Sequence, residues 1–347
     1  MTTIFNQFSY FFQSFKGKSP VLLLLAILLI ISLIIAISIG ATPINIATIL
    51  YGQLTETQQS VLSVIRLPRV LLAMIVGASL AVSGAAMQGL FRNPLADPGL
   101  IGITSGAALA VGIMIVLIGP IPGTFGLYGL SVAAFVGGLL TSIIIFKISH
   151  LTGSFSVTYM LLAGIAINAM TGAGTGVLTY LSNDEQLRSL TFWTMGSLGG
   201  ALWPAVIVAA TVVIPSTLLL LKYAKQLNIL LLGEQEAHYL GVDIHRLKLV
   251  VIMTTALSVG VAVAVSGIIG FVGLVVPHLI RLTLGPDHRL LIPASALLGA
   301  ILLLIADTFA RTVVSPAEMP VGIITSMIGG PFFLWLLMKQ NGMRSNI

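Results

Sequence analysis

The stretch that decides the fold lies near the start of the chain, where residues 21–40 read VLLLLAILLIISLIIAISIG. A helix needs roughly 20 mostly apolar residues to cross the hydrocarbon core of a bilayer, so this run predicts a membrane span. Lys16 and Lys18 precede it, as basic residues precede the apolar part of a secretory signal. The run is longer than such a part and no soluble domain follows it, so we expect it to remain as the first span.

The composition indicates that lipid covers most of the surface. Of the 347 residues, 57% are hydrophobic and only 7% are charged, and the mean hydropathy is +1.09. Soluble domains carry about 25% charged residues. The formal charge of +6 is spread as single residues between apolar runs, which is typical of membrane loops and excludes a nucleic-acid-binding face. The chain has no cysteine, which excludes disulfides and thiolate metal sites.

Apolar runs of similar length recur to the end of the chain and predict an all-α integral membrane protein. About ten transmembrane helices are expected, near residues 21–40, 70–90, 100–119, 126–147, 157–181, 203–221, 247–266, 268–284, 290–309 and 320–338. With both termini in the cytoplasm, 12 basic residues lie inside and 4 outside, in agreement with the positive-inside rule. The predicted organisation is a cytoplasmic N-terminal segment (1–20), a ten-helix domain (21–338) with a cytoplasmic segment at 230–245, and a cytoplasmic tail (339–347).

A four-residue repeat suggests internal symmetry. The sequence Ala-Val-Ser-Gly ends the second predicted span at residues 81–84 and the seventh at residues 264–267. These two spans run in opposite directions, as in the inverted repeats of many transporters. A match of four residues also arises by chance.

The chain shows no energy-coupling chemistry of its own. Asp307 is the one acidic residue within a predicted span, and Arg311 lies four residues later on the same helix face, where pairing is expected. An ion-coupled secondary carrier is the alternative from a different functional class, and it usually needs intramembrane carboxylates as an ion relay. No nucleophile and base, and no metal-ligand cluster, stand out, so no enzyme and no catalytic or metal residues are predicted. Energy is expected from a partner.

The cytoplasmic segment between the sixth and seventh spans predicts a short helix. Glu234 and Glu236 lie near its start and Gly241 ends it, which matches a charged first turn and a glycine stop. Such a helix suits a contact with a soluble subunit. An ordinary amphipathic loop helix fits the pattern equally well.

Motifs from about residue 60 to the C-terminus resemble one family of transporters. The motifs are Arg66-Leu67-Pro68-Arg69, Gly84 to Gln88, Arg92-Asn93-Pro94-Leu95-Ala96-Asp97-Pro98, Leu232-Gly233-Glu234, Leu240-Gly241, Gly270 to Leu274, Pro277-His278, Asp287-His288-Arg289, Ala306-Asp307, Glu318 to Gly322 and Gly329-Gly330-Pro331. They are similar to the permeases of the iron-chelate and cobalamin import family of ABC transporters. The resemblance implies a type II ABC importer permease fold with an inverted repeat. It also implies a bacterial inner-membrane assembly of two permease copies, two ATPase subunits that bind ATP, and a periplasmic substrate-binding protein.

The resemblance also implies roles for two sets of residues. The segment at 230–245 would be the coupling segment seated in the ATPase, through Gly233, Glu234, Glu236, Ala237, Leu240 and Gly241. Docking of the binding protein would use three arginines at outer span ends, Arg66, Arg69 and Arg311, because guanidinium groups pair well with carboxylates. Anchoring to lipid headgroups is the alternative for these arginines, and for Arg311 a local pair with Asp307.

The segment between the fifth and sixth spans looks most like the haem-importing branch of the family. Haem is a flat apolar plate with two carboxylates, so Arg188 is a candidate partner for a propionate, and soft methionine side chains suit its face. The predicted pathway residues are Arg188, Met160, Met170, Met195 and Trp193. Arg188 pairing with Asp184, and plain packing of the methionines, are the alternatives. Haem is the predicted cargo, a ferric siderophore the first alternative and cobalamin the second, with no cofactor held permanently.

Overall fold

The computed structural model describes residues 19–40, 42, 44–119, 121–150 and 155–344. Almost all of the predicted N-terminal segment (1–20), with Lys16 and Lys18, and the last three residues of the predicted tail lie outside the described residues. The described chain is all-helical. Its fifteen α-helices are α1 Ser19–Ser38, α2 Ile46–Leu50, α3 Glu56–Ser60, α4 Leu67–Leu90, α5 Ile103–Ile113, α6 Thr124–Ile148, α7 Val157–Leu181, α8 Asp184–Thr194, α9 Trp203–Lys222, α10 Ala224–Leu230, α11 Glu234–Tyr239, α12 Ile244–Ser266, α13 Val272–Leu284, α14 His288–Ala310 and α15 Val321–Arg344.

Three short stretches of other helix types extend this set. Val61–Arg66 and Met114–Ile118 are π-helical, and Pro98–Ile101 is a 3₁₀-helix. The first of them joins α3 to α4, so that helix runs without a break from Glu56 to Leu90. The predicted span at 70–90 is therefore only the second half of a longer helix. Its first half carries Glu56 and polar residues, which is why hydropathy alone did not reveal it.

Seven described helices are long and apolar enough to cross a membrane, and three more are apolar but shorter. The seven are Pro20–Ser38, Glu56–Leu90, Tyr128–Ile148, Val157–Leu181, Trp203–Lys222, Ile244–Ser266 and His288–Ala310. The shorter three are Ile103–Ile118, Val272–Leu284 and Val321–Trp335. The helical membrane fold is thus confirmed, whereas the count of ten spans and the inverted repeat stay predictions.

The predicted eighth span, at 268–284, is shorter than expected. Its helix α13 begins only at Val272, because Gly267 and Phe271 both adopt a positive φ (68° and 67°). Residues with φ > 0 cannot continue a right-handed helix. The chain between α12 and α13 is therefore a non-helical connection.

Helix α4 forms the centre of the bundle and is the most deeply buried of the candidate spans. It packs mainly on α14, and also on α12, α13 and α9. A Cβ atom at Gly84 would overlap the carbonyl oxygen of Gly273 in α13, and one at Gly77 would overlap that of Gly299 in α14. Glycine here allows backbones to meet directly, which is how helices associate tightly in lipid.

Side-chain caps fix where three of the helices near the candidate sites begin. Asn183 and Gln186 form a capping box at the start of α8. Asp243 accepts a hydrogen bond from the backbone of Arg246 at the start of α12, and Asp287 accepts one from that of Arg289 at the start of α14. These caps satisfy backbone N–H groups that a helix start leaves unpaired.

Candidate functional site

One end of the bundle holds a buried ionic cluster, here called the arginine cluster, made of Arg66, Arg69, Asp307, Arg311 and Glu318. Arg69 lies at its centre. It donates three hydrogen bonds of 2.9–3.1 Å to the Asp307 carboxylate and two of 2.9 Å to that of Glu318. The side chains of Arg69 and Asp307 are 7% and 1% exposed, whereas that of Glu318 is 48% exposed. The cluster thus joins α4 to the two ends of the loop between α14 and α15.

The other two arginines hold the end of α1. Arg66 donates to the backbone oxygens of Ile37 (2.7 Å), Ser38 (3.3 Å) and Thr42. Arg311 donates to the backbone oxygen of Ala36. The last carbonyl groups of a helix lack partners within the helix, so these guanidinium groups satisfy them and oppose the negative end of the helix dipole.

This geometry shows where the three arginines of the predicted docking set lie, and their docking role stays a prediction. Arg66 and Arg69 are buried rather than displayed on the surface, being 4% and 6% exposed. The expected pair of Arg311 with Asp307 is present but long, with Nε 3.9 Å from Oδ2, and Arg69 is the main partner of that carboxylate. The sequence placed Asp307 and Arg311 on one helix face correctly, but only the fold brings in Arg69 from 238 positions away.

A backbone junction lies beside the arginine cluster, where the segment after α8 meets the α12–α13 connection. The backbone N–H of Ser197 donates to the carbonyl oxygen of Ser266 at 2.8 Å. A Cβ at Gly196 would overlap the carbonyl oxygen of Ile268, and one at Gly322 would overlap that of Met195. The segment after α8, the α12–α13 connection and the start of α15 therefore contact one another through backbone atoms. These contacts hold α8 against the start of α15.

An open cavity of about 570 Å³ adjoins this junction. It is lined by Thr194, Met195, Ile268, Gly270, Gly322, Ile323, Ser326 and Met327. The walls are mostly apolar, with two methionine side chains and two hydroxyl groups. Such walls suit a flat apolar ligand with few polar groups.

The predicted pathway residues separate into three groups. Met195 lines the cavity, and Trp193 lies two residues before it in the last turn of α8, half-buried. Arg188 is exposed on α8, and the ion pairs formed within the described chain do not join it to Asp184. Met170 projects outward from α7 and is 73% exposed.

Met160 is 1% exposed and belongs to the hydrophobic core, so its side chain is covered by neighbouring residues here. Its position on α7 explains this burial. The helix buries only a narrow stripe, which includes Met160, Ala163 and Gly164, and it exposes the rest. Sequence alone does not say which face is which.

The opposite end of the bundle carries the predicted short helix, α11 at Glu234–Tyr239, which confirms the expectation of a helix with an acidic first turn. Gly233 precedes it with φ +135°, and Gly241 follows it with φ +80°, as expected for a glycine stop. Ala237 points inward and is fully buried. Tyr239 and Leu240 are highly exposed, so α11 presents an apolar and aromatic surface outward.

An ion pair anchors α11 to the body of the protein. The Nζ atom of Lys248 in α12 lies 2.7 Å from Oε2 of Glu234, and the same ammonium group sits 4.7 Å from the ring centre of Phe155. Lys248 is buried and Glu234 is partly exposed. The start of α11 is thus fixed, while its far end is free to contact another surface.

The sequence interpretation missed Lys248, Met327 and the pairing role of Glu318. Lys248 counted only as a basic residue of a cytoplasmic loop, and Glu318 only as part of a family motif. The connection of α10 to α14 was also missed. Asn228 donates to Asp287 at 2.6 Å and accepts from the backbone of His288 at 2.8 Å. Burial raises the pKa of Asp287, but hydrogen bonds from Arg289 and Asn228 outweigh it and hold that pKa below its usual range.

Among the described residues, no group of three or more His, Asp or Glu side chains is arranged to hold a metal ion. Many polar groups of the fold are instead paired inside the protein or cap helices. With its buried centre and its exposed apolar outer helices, the fold defines a class, that of polytopic membrane proteins.

Comparison with known proteins defines the family. Residues 27–339 match the model of the FecCD transport family. The chain is 53% identical over 333 residues to the hemin transport system permease protein HmuU of Yersinia pestis, covering 95% of this chain and 99% of that one. It is 43% identical over 303 residues to the cobalamin import system permease protein BtuC of Halobacterium salinarum, covering 86% and 80% of the two chains.

A solved structure shares the fold. It belongs to a transporter assigned to the metal-chelate ABC type, in an inward-facing conformation, with a TM-score of 0.83 and 36% identity over 92% of this chain and 99% of that one. The chain therefore belongs to the FecCD transport family and is a permease of the ABC import type.

Proposed function

We propose that this chain is the membrane-spanning subunit of an ATP-driven importer that moves haem across the bacterial inner membrane. The main support for haem as the cargo is sequence identity. The chain is 53% identical to a hemin permease over nearly the whole of both chains, against 43% to a cobalamin permease. The cavity supports it, because its walls offer two thioethers and few polar groups to a flat apolar plate. Exposed Arg188 on the adjoining helix α8 would meet a haem propionate.

The energy would come from a separate ATPase subunit that seats on the coupling segment. The exposed residues of that segment include Glu236, His238, Tyr239, Leu240 and Gly241. Aromatic and apolar groups at the centre of an exposed patch are typical of protein interfaces. The Lys248–Glu234 pair would transmit movement of α11 to α12, which packs on the central helix α4.

Docking of a periplasmic binding protein would occur at the end of the bundle that holds the arginine cluster. Because Arg66, Arg69 and Arg311 are engaged within the chain, we assign them a positioning role. They would fix the α14–α15 loop and present the exposed Glu318 carboxylate at the surface. This end would face the periplasm and the α11 end the cytoplasm, with both termini cytoplasmic.

A second copy of the chain would pack against the exposed face of α7. That face carries Gly172 and Gly176, which are four residues apart, and a Cβ at either glycine would meet nothing within 4 Å. Small outward-facing residues allow close approach of another helix in lipid. The arrangement would place the cavities of two copies on one translocation pathway.

The ion-coupled carrier gains no support from the structure. Asp307 is bound by three hydrogen bonds from Arg69 and is not free to relay protons or ions. An importer of the ATP-driven class needs no such relay.

The test is ATP-dependent uptake into proteoliposomes that contain the chain and its ATPase, with the binding protein loaded with haem or with a ferric siderophore. Met195→Leu conserves volume but removes the sulfur from the cavity wall, and it should lower haem uptake. Met160→Leu is the matched control because that residue is buried in the core, and uptake should be unchanged. Uptake of the siderophore alone would overturn haem as the cargo. Equal effects of the two variants would overturn the cavity as its path.

A further inference from the structure

A second cavity, of about 470 Å³, lies at the α11 end, and the function proposed above assigns no ligand to it. It is lined by Lys222, Tyr223, Lys225, Gln226, Ile229, Leu240, Gly241, Val242, Asp243, Arg246 and Leu247. Three of these residues are cationic and one is anionic. Since Asp243 already accepts the capping hydrogen bond of α12, the cavity presents a net positive charge.

The basic side chains of this cavity have no carboxylate partner among the ion pairs of the described chain. Elsewhere at the same end Lys248 is paired with Glu234, and Arg289 with Asp287. Lys222, Lys225 and Arg246 are exposed and take part in none of the ion pairs of the described chain. Three unpaired cations around one concavity suit a phosphate group.

The cavity lies where the head groups of a membrane leaflet would be. Lys222 is the last residue of the apolar span of α9, and Arg246 is in the first turn of the apolar span of α12. The other end of α9 lies by the arginine cluster, since Trp203 donates to the backbone oxygen of Ser63. Both basic residues therefore mark the same boundary of the membrane, at the α11 end.

An exposed apolar stripe on α9 leads from the membrane interior to this cavity. Ile207, Ile214 and Leu218 are 58%, 55% and 61% exposed, and their spacing places them on one helix face. Lys222 follows Leu218 by four residues and so ends the same stripe. A molecule with acyl chains along the stripe would bring its phosphate to Lys222.

We propose that this cavity binds the phosphate of an anionic phospholipid from the leaflet at the α11 end, with its acyl chains along α9. The lipid would bridge α9 and α12 to Leu240 and Gly241, which form the far end of the coupling segment. It would thereby steady the end of α11 that the Glu234–Lys248 pair leaves free. A leaflet that contains anionic lipids has a negative surface potential, which attracts basic pockets at helix ends.

The experiment measures which lipids stay with the protein. The full-length chain is reconstituted in phosphatidylcholine with a minor share of phosphatidylglycerol, extracted in mild detergent, and its retained phospholipids are counted by mass spectrometry. The test variant is Lys222→Gln/Arg246→Gln. The matched control is Arg92→Gln/Lys147→Gln, which removes the same charge from two exposed residues outside the cavity.

Wild type and control should retain phosphatidylglycerol in excess over its share of the mixture. The test variant should retain it near that share. Each basic side chain strengthens binding of an anionic lipid about fivefold, so the preference should fall about twenty-fivefold. Unfolding of each variant in detergent shows whether the fold is intact.

Three results would overturn the proposal. The first is equal lipid retention in the test and control variants. The second is loss of the retained phosphatidylglycerol when inorganic phosphate is added, which would mean a site for a free anion. The third is unchanged lipid retention together with weaker binding of the ATPase subunit, which would make these cations a protein contact.

Discussion

Replacing Asp307 by asparagine should destabilise the protein far more than replacing Glu318 by glutamine. Both changes turn a carboxylate that binds Arg69 into an amide. The arginine cluster has three arginines and two carboxylates, a net charge of +1, and either change raises it to +2. The two variants therefore differ in burial and not in charge.

The magnitude follows from the exposure of the two carboxylates. Asp307 is 1% exposed and accepts three hydrogen bonds from Arg69, whose side chain is itself 7% exposed. Loss of one partner from a buried ion pair costs about 3–5 kcal/mol, because the remaining charge stays buried. Glu318 is nearly half exposed, and a pair with an exposed partner contributes about 0–1 kcal/mol.

The free energy of unfolding can be measured in mixed micelles titrated with a denaturing detergent and followed by helical circular dichroism. We expect Asp307→Asn to lower it by at least about 2 kcal/mol more than Glu318→Gln does. Equal losses in the two variants, or a loss below about 1 kcal/mol for Asp307→Asn, would refute the reasoning. Either result would mean that water reaches the Arg69–Asp307 pair.

Three further predictions concern packing and pH. Gly84→Ala should destabilise the protein by about 1–3 kcal/mol, because the added methyl group meets the backbone of α13. Gly172→Ala is the control and should change the stability of the isolated chain by less than about 1 kcal/mol, since a Cβ there meets nothing within 4 Å. Unfolding curves of both variants check this. Lowering the pH through the depressed pKa of Asp287 should remove the stability that its ion pair with Arg289 contributes. Stability measured against pH should therefore fall more steeply on the acid side in wild type than in Asp287→Asn, and parallel curves would contradict the assignment. Lys248→Met should increase amide hydrogen exchange in α11, which the pair with Glu234 holds, and unchanged exchange would show that packing of Ala237 suffices.

The sequence was a good guide to features that depend on local order. The span predicted at 157–181 coincides with α7, and the short helix between Gly233 and Gly241 has the expected boundaries. Both depend on hydropathy, caps and glycine, which act within a few residues of the chain. The non-helical start of the eighth span was harder to predict. It depends on a positive φ at Phe271, a residue type that rarely adopts one.

The candidate sites depended on contacts between distant segments. The arginines at 66, 69 and 311 were recognised from their motifs, but their burial follows from partners on α1, α14 and the loop before α15. The methionines at 160, 170 and 195 looked alike in sequence. One proved to be core, one outward-facing and one cavity-lining. Met160 and Met170 are both on α7, and only packing against neighbouring helices decides which of its faces is buried, whereas Met195 follows α8.

The sequence by itself therefore determined that this protein is a helical membrane permease, where most of its apolar helices lie and which family it resembles. Membrane insertion requires long apolar segments, and the residues of each segment meet that requirement independently of the other segments. The tertiary structure alone decided which charges are paired, which face of each helix is buried and where the two cavities lie. In a chain whose helices are apolar on every side, hydropathy does not orient them, and the close contacts of backbone, glycine and buried ion pairs do.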